Sequence, residues 1–176
     1  SLHFIFEPDS LFLHVGETGE INIKLVNQDG ELANNPFYAY GRPRRALESK
    51  PRISDSTGVA NITVKAYKPG KLSLSVRSIS KKREDRVTDK IVIQVPYPPL
   101  DRIVFEEPQS KLYVGTAVNF STTVYDKADL VRDSAKVPLS SSNTDVADFD
   151  QYGNLKAKKS GKVTITASAD DITESL

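Results

Sequence analysis

Apolar and polar residues alternate along this chain in short runs separated by Gly, Pro, Asn and Asp. Ile21, Ile23 and Leu25 are spaced by Asn22 and Lys24; Ala60, Ile62, Val64 and Ala66 by Asn61, Thr63 and Lys65; Leu72, Leu74 and Val76 by serines. A period of two with polar residues between marks strands that have one dry face and one wet one. Runs at 2–6, 11–15, 21–26, 34–41, 59–66, 72–76 and 87–95 predict about seven strands in the first 96 residues, with turns between them at sandwich-like spacing. The segment 42–52, with two prolines and five basic residues, reads as irregular, and 81–86 as a charged loop. No amphipathic helix of useful length is visible.

Three prolines in the four residues Pro96, Tyr97, Pro98 and Pro99 cannot join a ladder and favour an extended backbone. They predict a short semi-rigid linker at 97–99, with a domain at 1–96 and another at 100–176. The second half then repeats the first. Phe6, Leu13, Val15 and Gly16 stand 99 positions before Phe105, Leu112, Val114 and Gly115. The offset is 95 at Gly58 and Gly153, and 91 at Gly70 and Gly161. Val118, Phe120, Thr122 and Val124 form the matching long strand. Val146, Phe149, Leu155, Val163 and Ile165 are its core candidates by alternation. The fold class expected is all-β: two tandem sandwiches.

Composition narrows the function classes. The chain has 176 residues, 38% hydrophobic and 27% charged, with net charge +1. The first 96 residues carry 15 basic and 11 acidic side chains, the remainder 9 and 12, so nucleic acid is not an expected partner. No apolar run is long enough to cross a bilayer as a helix, and direct membrane insertion is not expected. There is no cysteine, hence no disulfide framework and no thiolate chemistry. The chain starts at Ser1 and has no methionine, which is read as a fragment whose signal peptide, if any, lies elsewhere.

Candidate chemistry is sparse. His3 and His14 lack a nucleophile or an orienting partner nearby in sequence, and no motif for phosphate, dinucleotide or zinc chemistry occurs, so catalytic residues and cofactors are both expected to be none. Asp145, Asp148 and Asp150 are a candidate calcium cluster, because calcium favours grouped carboxylates. The plainer reading is that they cap turns between strands. Tyr38, Tyr40, Arg42, Arg44 and Arg45 are the candidate binding residues, followed by Lys50 and Arg52. Aromatics and arginines of this kind stack on sugars or pair with anions. The alternative is a core aromatic face beside a solvated loop.

The ordered motif Leu112-Tyr113-Val114-Gly115, Leu139-Ser140-Ser141-Ser142-Asn143, Asp145-Val146-Ala147-Asp148-Phe149-Asp150, Gly153-Asn154-Leu155-Lys156-Ala157 and Gly161-Lys162-Val163-Thr164-Ile165-Thr166-Ala167 resembles the bacterial Ig-like domain of group 2, found in intimin- and invasin-type surface proteins. The likeness covers 100–176; residues 1–96 resemble a diverged Ig-like relative. It implies Ig-like sandwiches and a last strand truncated at Leu176. Leu139 stands where the family usually has tryptophan and is expected to be buried. The resemblance also implies a non-catalytic spacer in a larger secreted or cell-surface bacterial protein, located outside the cell, in the periplasm or on the surface. Its partners would be other domains of the same parent chain. Two further readings stay open: an adhesin binding a surface glycan or protein, and an accessory module beside a downstream secreted enzyme.

Overall fold

The computed structural model describes residues 1–176. Its contacts divide the chain into two compact units, Ser1–Tyr97 and Pro98–Leu176.

The first unit has eight strands: β1 (His3–Glu7), β2 (Leu11–Phe12), β3 (Thr18–Val26), β4 (Phe37–Arg42), β5 (Leu47–Lys50), β6 (Val59–Ala66), β7 (Gly70–Ser78) and β8 (Thr88–Val95). They form two sheets, ordered β1-β3-β6-β5 and β2-β8-β7-β4. All neighbours are antiparallel except β2, which runs parallel to β8 with Leu11 opposite Ile93. The alternation read from sequence sets the register. Ile21 faces Ile62 and Ile23 faces Ala60, so both strands turn the same side chains inward. Ile21, Ile23, Leu25, Ile62, Val64, Leu74 and Ile93 are wholly buried and fill the space between the sheets. At roughly 1.5–3 kcal/mol for each large aliphatic side chain, this core dominates the unit's stability.

Two expectations need correction here, and a third gains detail. The segment read as irregular contains β5, whose Leu47 and Ser49 are buried while Lys50 is exposed. Its four residues are too few to show a period against prolines on both sides. The second predicted strand is confined to Leu11–Phe12; past it only the Leu13 N–H continues the pairing, donating to the Gln94 carbonyl at 3.0 Å. The charged loop holds one turn of 3-10 helix at Arg83–Asp85.

The second unit repeats the plan with mostly shorter strands: β9 (Leu100–Glu106), β10 (Ala117–Asn119), β11 (Ser121–Asp126), β12 (Leu139–Ser141), β13 (Ala147–Phe149), β14 (Asn154–Ala157), β15 (Ile165–Ala169) and β16 (Ile172–Ser175). Pairings run β11-β9, β10-β14-β13 and β12-β15-β16. The long strand expected at 118–124 is interrupted at Phe120, where pairing passes from β14 to β9. Leu155 and Ile165 are buried, with Phe149 and Val163 half-buried against them. Leu139 is half-buried rather than buried, because β12 is an edge strand; it lies opposite Ala167 and packs on the Leu100, Ile103 and Val124 cluster.

The repeat holds at the level of single hydrogen bonds. The N–H of Gly16 donates to the Ala66 carbonyl at 2.7 Å and that of Gly115 to Ala157 at 2.8 Å, with φ of 90° and 89°. Both glycines sit in the left-handed region that disfavours any side chain. Asn27 Oδ1 accepts from the N–H groups of Asp29 and Glu31, and Asp126 Oδ1 from those of Ala128 and Leu130, again 99 positions on.

Candidate functional site

The candidate binding residues gather on the first unit where the two sheets meet at one edge. β4 is the outer strand of one sheet and β5 of the other. Phe37, Ala39 and Gly41 point into the core, which leaves Tyr38, Tyr40 and Arg42 on the outer face. Gly41 allows the strands to close: a Cβ there would run into the carbonyl oxygen of Leu47. The turn between them is held by the Pro43 carbonyl, which accepts from the N–H groups of Ala46 and Leu47 at 3.0 and 3.1 Å. Arg44 and Arg45 are thereby presented at the rim, exposed.

The result is an open groove of about 970 Å³. Six basic side chains line it (Arg42, Arg44, Arg45, Lys50, Arg52 and Arg77), against a single carboxylate, Glu48. Guanidinium groups lie over the rings: Arg42 and Arg44 at 5.6 and 6.0 Å from the centroid of Tyr40, and Arg77 at 5.5 Å from that of Tyr38. Such placement lets the ring quadrupole hold the cation without neutralising it. Glu48 is occupied: it receives Lys50 Nζ at 3.0 Å and the Tyr67 hydroxyl at 2.8 Å. These two hydrogen bonds, the lysine's first, hold its carboxyl below the usual range, and Glu48 in turn pushes the Tyr67 phenol up.

The structure thus brings together Tyr38, Tyr40, Arg42, Arg44 and Arg45, with Lys50 and Arg52 beside them. Sequence reading did not single out Arg77, Tyr67 or Glu48. Arg77 reaches the groove because β7 pairs with β4 in the register that sets it opposite Tyr38, and no local pattern encodes that pairing.

The three aspartates are placed differently. Asp150 Oδ1 accepts the N–H groups of Asn154 at 3.0 Å and Tyr152 at 2.8 Å, and these bonds, the Asn154 one first, hold its carboxyl below the usual value. Asp148 Oδ1 accepts the Phe149 N–H, and the Asp145 N–H donates to Asn143 Oδ1. No three acidic or histidine side chains converge to hold a metal ion anywhere in the structure. His14 is exposed and lies 3.8 Å from Glu17.

The second unit has a groove of its own, about 560 Å³, whose lining includes Leu112, Val114, Phe120, Val163 and Leu176. Leu176 exchanges both backbone hydrogen bonds with Ile165, each 2.8 Å. In the first unit the matching pair is Ile91 and Leu74, and Val92–Val95 run on from there beside β2.

No curated protein matches this sequence. Among solved structures the chain is similar to the Yersinia pseudotuberculosis adhesin InvE, at TM-score 0.52 and 14% identity over 99% of this chain and 57% of that one. It is also similar to a C-terminal fragment of intimin solved with the intimin-binding domain of its receptor Tir (TM-score 0.41, 17% identity, 100% and 63% covered). A third is the S-layer protein SbsC, domains 4 and 5 (0.43, 15%, 80% and 73%). The chain therefore spans less than two thirds of the InvE and intimin chains. The likeness to InvE shows the fold, an all-β Ig-like sandwich. The family whose model the sequence matches, over residues 108–176, is the bacterial Ig-like domain, group 2.

Proposed function

We propose that this chain is a structural module of a larger secreted or cell-surface bacterial protein, holding other domains of the same parent chain at a set spacing. The observation that carries the reading is the repetition of one frame. The hydrogen bonds of Gly16 and Gly115, of Asn27 and Asp126, and of Asp55 and Asp150 recur while the surfaces around them diverge. Such a pattern preserves what determines a module's length and stiffness, and lets its surface chemistry drift. Domains at 1–96 and 100–176 with a proline linker at 97–99 belong to the same reading, because prolines resist collapse of the join. The fold shared with the adhesin InvE supports a place at the cell surface or outside the cell. The reading assigns the chain no catalysis, since function follows from sites rather than from an Ig-like fold.

Small-angle scattering of the chain, compared with a variant carrying Gly-Ser in place of Pro96, Pro98 and Pro99, tests it. The expected result is a fixed maximum dimension that broadens in the variant. Equal breadth in both, as for a freely jointed pair, would overturn the spacer role.

A further inference from the structure

We propose that the groove at the β4–β5 edge of the first unit binds an acidic glycan, one that carries carboxylate or sulfate groups along its length. This stands apart from the spacer reading and does not rest on it.

The charge is the first ground. Six cations line the groove, and its one carboxylate is already engaged by Lys50 and Tyr67. None of Arg42, Arg44, Arg45, Arg52 or Arg77 takes part in an ion pair. The second unit shows the contrasting case. There Arg102 lies over the Tyr125 ring at 4.4 Å and is paired with both Asp129 at 2.8 Å and Asp101 at 3.2 Å. An arginine that serves the fold in this chain carries its own counter-ions, and the groove arginines do not. Planar guanidiniums with free donors match carboxylate and sulfate in a bidentate fashion.

The arrangement also selects among anions. Tyr38 and Tyr40 already have guanidinium groups over their rings, so the groove offers cations rather than bare aromatic platforms for a neutral sugar or an unstacked base. The free edge of β4 is closed to an added peptide strand. The Ala39 N–H donates to the Arg52 carbonyl at 2.9 Å, the Ser54 N–H to Phe37 at 2.9 Å, and Tyr38 forms a bridge with Ile53. Recognition therefore falls to side chains, which suits a polymer that displays anions and hydroxyls and has no ladder to offer. At about 970 Å³ the groove is larger than a single ion requires and accommodates several sugar residues.

Titration calorimetry of the full chain with an oligogalacturonate and with a sulfated oligosaccharide tests the proposal and separates carboxylate from sulfate. Binding to at least one is expected, weakening about tenfold as salt rises through the physiological range. The double change Arg44→Ala with Arg45→Ala is expected to reduce affinity about tenfold or more at an unchanged melting temperature, because both side chains are exposed. Arg83→Ala with Arg86→Ala removes the same charge outside the groove and is expected to leave affinity within a factor of about two. The proposal is overturned by no binding of either oligosaccharide at millimolar concentration to folded protein. Equal losses in the two double variants would overturn it too, as would polyglutamate or neutral dextran binding as tightly.

Discussion

Asp55 and Asp150 hold the same place in two turns 95 residues apart. Each Oδ1 accepts the N–H two residues ahead, at 2.9 and 2.8 Å, and the N–H four residues ahead, at 3.1 and 3.0 Å. The backbone N–H of the intervening glycine, Gly58 or Gly153, donates to the aspartate's own carbonyl. A carboxylate that caps a turn in this way satisfies donors the bend would otherwise leave to water.

That relationship sets an acid limit on stability. Hydrogen bonds hold both carboxyls below the ordinary aspartate range: for Asp55 chiefly the one donated by the Thr57 hydroxyl, for Asp150 chiefly the one from the Asn154 N–H. A depressed folded value means that the contribution is full above the unfolded pKa, about 3.9, and is lost as pH falls from there through the folded value. Thermal melts between pH 7 and pH 2 are expected to show this fall, and Asp55→Asn with Asp150→Asn to flatten it. An unaltered acid profile in the double variant would contradict the assignment.

Asp126 is the buried counterpart of Asn27. Its Oδ1 holds the Ala128 and Leu130 N–H groups, while Oδ2 has no hydrogen bond and lies 3.9 Å from Arg132 Nη1. Asp126→Ala strands two backbone donors and is expected to cost roughly 1–3 kcal/mol in a denaturant melt. Asp126→Asn keeps the accepting oxygen, as Asn27 does, and is expected to cost less.

Gly41→Ala is predicted to destabilise the first unit by roughly 2–3 kcal/mol or more, since the new methyl meets the Leu47 backbone rather than a side chain that could turn away. Separately expressed 1–97 and 98–176 would show the loss only in the former.

The groove of the second unit predicts a stabilising extension. Adding Val-Ile-Gln-Val behind Leu176 copies Val92–Val95, in which Ile93 and Val95 are buried. It would place an Ile and a Val over Leu112 and Val114: Val114 is 56% exposed where its counterpart Val15 is half-buried, and Leu112 is half-buried where its counterpart Leu13 is buried. A melting temperature above that of the unextended chain is expected, because both inward side chains gain apolar cover. A polar Ser-Asn-Gln-Ser extension should give no gain in melting temperature.

Alternation alone determined most of the first unit. A period of two tells which side chains share a face, and β3, β6 and β7 run where the inward Ile, Leu and Val positions say they must. The turns were legible as well, because Asp and Gly act on their own neighbours: the Asp55–Gly58 and Asp150–Gly153 bends need nothing distant. What sequence could not supply was the partner of each strand. β5 is too short to carry a period, and it exists as a strand because Glu48 and Ser49 lie opposite Lys65 and Val64 on β6. The break at Phe120 reflects a change of partner, and Leu139 is half-exposed because nothing pairs beyond β12. The same holds for the groove. Tyr38, Tyr40 and the arginines stood together in the sequence, but the chain names neither Arg77 across the sheet nor Tyr67 and Glu48 beside it. Register and the close approach at Gly41 are properties of two strands at once, and they were decided only when the sheets packed.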